Sequence, residues 1–210
     1  MILHEIVGNE QDPTYQRLEV ENGNRQYDFI RSIVTAALAL NRPMLSLELI
    51  KALNYHAISC LHVSAGEFRP CAVTVGNHKP VEFWQVPARM ELFVDEVNRF
   101  WEAHDPVSLA TFVLWKLNYI HPFINGNGRS ARAAAYCVLC LRSGGLLPGQ
   151  PILPELLRQN RDEYVQALQT ADASLANGPV DLTVLHQLVS RLVAQQLAPI
   201  QPAPTRGRQP

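Results

Sequence analysis

The chain has 210 residues, 47% of them hydrophobic and 18% charged, a balance that fits one packed globular domain with small additions. Its formal net charge of -1 excludes a nucleic-acid binder that works through a global basic field, so any anion site is local and suited to a small charged ligand. No run of about eighteen apolar residues marks a membrane span, and "MILHEIVGNEQDP" at the N-terminus has no basic region followed by an apolar one.

The first periodic segment, "NRQYDFIRSIVTAALALN" at 24–41, carries apolar residues at helical spacing and ends at Asn41 and Pro43. Ser46 can cap a second helix, "LELIKALNYHAISCL". The pattern then changes. In "FRPCAVTVGNHKPVEFWQVP", at 68–87, β-branched and aromatic residues flank Gly76-Asn77, which predicts two short strands at about 71–75 and 81–85 joined as a hairpin. Pro80 makes that hairpin isolated or an edge. Helices resume over 87–104, and Asp105-Pro106 opens a nearly all-apolar helix that must be central and buried. Beyond 121–132 comes an alanine-rich helix that stops at Gly144-Gly145. Pro154 can start another over "ELLRQNRDEYVQALQTAD", and Asp181 caps an amphipathic one. The Pro-rich end, 199–210, is expected to be a disordered tail.

Of four cysteines, Cys60, Cys71, Cys137 and Cys140, the last two form a CxxC with no second ligand pair, so core thiols in a reducing cytoplasm are expected. The fold class is mainly α, with one small β-hairpin.

The stretch that carries chemistry is "HPFINGNGRSAR", 121–132. One buried helix ends near Ile120 and another starts at about Gly126–Arg129. Gly126 and Gly128 allow positive φ and close backbone approach, and the first amides of the new helix are unpaired donors facing outward. Arg129 and Arg132, three apart, share a helix face and present planar donors suited to phosphate. A histidine at the mouth of such a cradle, with an ordinary pKa of about 6.5, can take a proton from an incoming hydroxyl. It can equally be the cap of a helix end.

These residues resemble the signature of the Fic (filamentation induced by cAMP) domain family, HPFx[DE]GNGRxxR, at every fixed position but one. The similarity runs over about 45–170 and includes "AGEFR" at 65–69 and "RDEYVQAL" at 161–168. The resemblance implies a compact helical Fic-type fold divided into an N-terminal helical extension (1–44), a core (45–176), a C-terminal helix (177–198) and the tail. It implies ATP as co-substrate and transfer of AMP to a Ser, Thr or Tyr hydroxyl of a target protein. His121 would be the general base, Gly126, Asn127 and Gly128 the anion hole, and Arg129 and Arg132 the ligands of the outer phosphates. The hairpin at 68–87 is similar to the family's flap, on which the target would dock along Val73, Thr74, Val75 and Gly76. Mg²⁺ or Mn²⁺ would offset the charge of departing pyrophosphate.

Asn125 departs from the pattern. The family's Asp or Glu binds Mg²⁺, which prefers charged oxygens, so an asparagine implies weak or lost metal binding. No Ser or Thr stands four residues before a Glu in the family's inhibitory pattern [ST]xxxE[GN]; Arg17 stands where one is expected before Glu21-Asn22. Restraint then falls to a separate antitoxin-like protein, to the N-terminal segment by another route, or to Asn125 itself. The related Doc branch, a kinase, has lysine where this chain has Gly128, which favours AMP transfer. Two other readings are kept: a catalytically weak nucleotide-binding module, and transfer from a different nucleotide donor. Cytoplasmic residence is expected, with delivery as an effector left open, and neither oligomeric state nor target is written in the chain.

Overall fold

A computed structural model describes residues 8–76 and 78–198. Among them are eight α-helices: α1 (Pro13–Ala39), α2 (Leu47–Ile58), α3 (Val86–Arg99), α4 (Pro106–Ile120), α5 (Asn127–Arg142), α6 (Leu153–Gln159), α7 (Arg161–Ser174) and α8 (Thr183–Leu197). None is long and apolar enough to cross a membrane. The expected tail and the N-terminal seven residues lie outside the described residues, as does Asn77 of the expected turn.

The centre is the pair α4–α5. Asp105 accepts from the amides of Val107 and Ser108, both at 3.0 Å, and Pro106 takes the first helical position, which fixes where α4 starts. From Ala131 to Leu141 nearly every residue of α5 is buried, and Ala131, Ala133, Ala134 and Ala135 are small enough for α4 to approach closely. Around this pair pack α1 and α2 on one side and α6, α7 and α8 on the other. Cys137 and Cys140 sit in this core, and burial pushes the Cys137 thiol up to about 12, so it is inert as a nucleophile.

α1 begins at Pro13, well before residue 24. Asp12 caps it, accepting from Thr14 N at 2.7 Å. The inward face of this first half is mixed, with buried Tyr15 packed against Ala57, Ile58 and Leu61 and polar residues after it. Buried Asn22 donates to Ser59 O at 2.9 Å and buried Gln26 to Leu53 O at 2.7 Å, so the apolar pattern is interrupted there although the face is packed. The segment read as one helix after Pro154 is broken at Asn160 (φ −101°, ψ 40°) into α6 and α7.

The β-hairpin is corrected. Among the described residues there are no strands; only isolated bridges occur, Val75 with His78 and Phe68 with Phe123. Residues 83–85 form a 3₁₀ turn that runs into α3. A two-stranded ladder is marginal alone, and Pro80 removes a donor from it. Arg69 supplies the tie instead. Its guanidinium donates to Cys71 O at 3.1 Å and to Val81 O, closing both ends of the 71–81 loop with one buried side chain.

Candidate functional site

Residues 121–126 join the two central helices, and four devices shape them. His121 ends α4 in the left-handed region (φ 52°, ψ 60°), a conformation that costs a non-glycine residue about 1–2 kcal/mol and needs support from its surroundings. Arg69 gives it: Nε donates to His121 O at 2.8 Å, and the Arg69 amide donates to Pro122 O at 2.9 Å. Next, Asn127 turns its carboxamide back into the loop, accepting from Phe123 N at 2.9 Å and donating to Phe123 O at 2.8 Å. Phe123, fully buried, rests against the ring of Phe68. Finally, Gly126 takes φ 78° where a Cβ would stand 2.7 Å from Ile58 Cγ2 and 2.9 Å from Asn54 Nδ2. Only glycine fits that position, both by conformation and by space. Asn54, wholly buried on α2, donates to Asn125 O at 2.9 Å and Ser130 Oγ at 3.2 Å and accepts from Gly66 N at 2.9 Å.

This framing leaves the start of α5 open. Gly126 offers no side-chain cap, and the amides of Asn127, Gly128 and Arg129 precede the first intrahelical bond, made by Ser130 N to Gly126 O at 2.9 Å. Arg132 curls back over that turn, its Nη1 3.2 Å from where a Cβ on Gly128 would stand. Among the described residues Arg132 has no hydrogen-bond or ion-pair partner; burial, with Arg129 and Arg158 nearby, lowers its pKa. A cavity of about 600 Å³ lies between α1, α5 and α6, lined among others by Glu19, Tyr27, Arg129, Arg132, Glu155 and Arg158.

His121 has a distinct electrostatic state. Burial lowers its pKa to about 4, with the charges of His78 and Arg69 acting in the same direction and the carbonyl of Asn118 against it. The ring is neutral at pH 7. Nδ1 faces Asn118 O at 3.4 Å, which places the proton there and leaves Nε2 as the acceptor.

Asn125 and Arg129 are occupied. Asn125 Oδ1 accepts from Gly126 N at 2.5 Å and from Arg129 Nη2 at 3.1 Å. Its Nδ2 lies 3.0 Å from Glu10 Oε1 and 2.8 Å from His62 Nε2. Arg129 Nη1 pairs with Glu19 Oε1 at 2.7 Å and also reaches Ala57 O at 3.2 Å. A divalent ion on Asn125 Oδ1 would share that oxygen with a guanidinium. Two unit charges about 4 Å apart near a protein surface repel by about 4 kcal/mol, and a double charge raises this further. No group of three or more His, Cys, Asp or Glu able to hold a metal occurs among the described residues. The residues present do not fit Mg²⁺ or Mn²⁺ at Asn125.

The loop and the first turn of α5 thus bring together His121, Asn125, Gly126, Asn127, Gly128, Arg129 and Arg132, although Asn127 offers the site its amide and not its side chain. Val73, Thr74, Val75 and Gly76 lie on the loop that Arg69 closes, Thr74 and Gly76 exposed and the two valines half-buried. His78 fixes that loop from its other side, through Nε2 to Tyr119 O at 2.9 Å and Nδ1 to Asp172 Oδ2 at 3.2 Å. Sequence reasoning missed Glu10, Glu19, Asn54, His62, Arg69 and His78. Asn54 and Arg69 left a signal: a polar residue in an apolar helix face, and a cation after "AGEF" with no acidic partner at helical spacing.

Comparisons with known proteins bear on the family and the fold. The family model described as Fic/DOC family matches residues 44–139. The chain is 33% identical over 111 residues to Protein adenylyltransferase Fic of Drosophila willistoni and 32% identical over 112 residues to the protein of that name in Nematostella vectensis. Each alignment covers 52% of this chain, but the chain spans only 21% and 24% of those relatives. Among solved structures, a Fic-domain-containing signaling protein from Bacteroides thetaiotaomicron superposes with a TM-score of 0.68 at 24% identity, covering 93% of this chain and 75% of the other. A segment of Fic-1 from C. elegans gives 0.65 at 24% identity, with 85% and 49% covered. These likenesses show the fold. The family match spans the loop and the helices that frame it, so residues 44–139 form a domain of the Fic/DOC type.

Proposed function

We propose that the chain is a protein adenylyltransferase that transfers AMP from ATP to a Ser, Thr or Tyr hydroxyl of a target protein. One observation carries this reading: a neutral, half-buried imidazole with Nε2 free stands on the loop that leads into three open amides and an arginine without a partner among the described residues. The name of the matched relatives, protein adenylyltransferase, supports it. The amides of Asn127, Gly128 and Arg129 would hold the α- and β-phosphates, and Arg132 the γ-phosphate. The target hydroxyl gives its proton to His121 Nε2, and its oxygen forms a bond to the α-phosphorus. The bond from that phosphorus to the bridging oxygen breaks in line, and pyrophosphate leaves. Thr74 and Gly76, on the loop outside the cradle, would meet an extended target segment through backbone groups that no strand uses.

Restraint has a candidate within the chain. Glu19 of α1 holds Arg129, and a bound phosphate would compete with that carboxylate for the guanidinium. This contact is an alternative to restraint by a separate antitoxin-like protein. The same contact also favours the second reading, a module that binds nucleotide and transfers slowly.

Intact mass after incubation with ATP and a target lysate, or of the chain itself, tests the proposal. A gain of one adenylate is expected, and a gain only with UTP, GTP or CDP-choline would change the donor. The Glu19–Arg129 pair is partly exposed, so Glu19→Gln is expected to tighten ATP binding by about two- to fivefold, read by calorimetry. Unchanged affinity would remove α1 as the restraint.

A further inference from the structure

We infer that the Arg129 guanidinium takes the place of a divalent cation beside Asn125, so that this chain binds the triphosphate of its nucleotide without a metal ion. The inference rests on the nucleotide reading above and concerns which charge neutralises the phosphates.

Asn125 is the starting point. Gly126 N and Arg129 Nη2 both donate to its side-chain oxygen, so that oxygen already faces one amide and one full positive charge. Rotation of the carboxamide does not free it. The amide nitrogen lies 3.0 Å from the Glu10 carboxylate and 2.8 Å from His62 Nε2, and a flip would set oxygen against carboxylate. The orientation is therefore fixed from both ends. An aspartate at this position would stand against Glu10, whereas asparagine satisfies Glu10 and Arg129 at once. Asn125 is matched to its neighbours as a connector between a carboxylate and a guanidinium.

The charges around the cavity complete the argument. Arg129, Arg132 and Arg158 line it together with Glu19 and Glu155. Glu155 is taken up by Arg158, at 2.9 and 2.6 Å, and Glu19 by Arg129. Neither carboxylate is left to hold a hard cation, while Arg132 has positive charge to spare. A guanidinium binds phosphate oxygens through fixed planar donors and carries its charge at every accessible pH, so it can neutralise phosphate without any loading step.

The test is calorimetric titration of the full chain with α,β-methylene-ATP, which the transfer reaction cannot cleave, once in Mg²⁺ and once in EDTA. The expected dissociation constants agree within about threefold. Binding weaker by about tenfold or more in EDTA overturns the inference. Arg129→Gln removes the fixed charge and frees Asn125 Oδ1. It is expected to lose about tenfold in EDTA and to recover most of that in Mg²⁺. Equal loss in both media overturns the exchange of arginine for metal. Should Arg129→Gln fail to fold, as thermal unfolding would reveal, the wild-type pair of titrations decides alone. Absence of binding in both media is a different outcome, and it overturns the nucleotide reading on which the inference stands.

Discussion

Replacing His121 with alanine is expected to lower adenylate transfer by about 10²–10⁴ while the chain stays folded. The structural duties of position 121 belong to its backbone: the amide bonded to Leu117 O at 3.0 Å and the carbonyl bonded to Arg69. Alanine keeps both and bears a similar left-handed strain. The imidazole itself makes only the long contact to Asn118 O, so its loss removes a base and little packing. Intact mass compared for wild type and variant checks the rate. Survival of full transfer would remove His121 from the proposed chemistry.

The same residue fixes a pH signature. Its folded pKa of about 4 lies below the ordinary value of 6.5, so between these limits the unfolded chain binds a proton that the folded chain does not. Stability from this group is therefore complete above about pH 6.5 and lost as pH falls through 4, a change on the order of 3 kcal/mol. His121→Ala should lose less stability than wild type over that window, measured by urea unfolding at a series of pH values. For catalysis the sign runs the same way. On the proposed function the unliganded chain keeps His121 neutral far below pH 6.5, so the acid limb of kcat/KM should fall well under the ordinary histidine range. Phosphates beside the ring favour its protonated form and should move the limb of kcat upward.

What could be read from the chain alone followed the range of the interactions. The junction of α4 and α5 was legible because Asp105-Pro106, Gly126 and Gly128 act within a turn of where they stand. The first half of α1 was not, because its packed face uses Asn22 and Gln26 to bond carbonyls of the 53–59 segment, and polar side chains carry no hydrophobic period. Strands were expected where β-branched residues flank a Gly, yet a single buried arginine closes that loop through backbone carbonyls. The candidate site divides similarly. Its cradle is one continuous motif. The partners of Asn125, however, come from 115 and 63 residues away, and nothing local in "FINGN" requires Glu10 or His62. An asparagine that reads as a damaged metal ligand becomes, once folded, a matched link between two charges.

Arg69→Met should be the most damaging single change in the framework, at about 4 kcal/mol of stability, read from the urea midpoint. Arg69 is 3% exposed, and among the described residues no carboxylate pairs with it. Its desolvation is offset by the carbonyls of His121, Cys71 and Val81, and that of His121 lies at the negative end of the α4 dipole. Hydrogen bonds from a charged donor contribute about 1.5–3 kcal/mol each, and methionine, similar in length and without donors, leaves all three acceptors unpaired. Some water will enter at the loop ends, which holds the total below the simple sum. Arg69→Lys keeps the charge but cannot reach three carbonyls in three directions, so it should fall between the two. The loss should also be uneven. Amide hydrogen exchange should rise first at 71–82, where Arg69 ties the two ends of the loop, and later in α4 and α5, which have their own packing. A uniform rise across the molecule would instead make Arg69 part of the general core. A local rise means that this arginine sets the loop and the carbonyl of the base together. On the proposed function, target docking and proton acceptance are then expected to fall together in one substitution that touches neither the imidazole nor the first turn of α5.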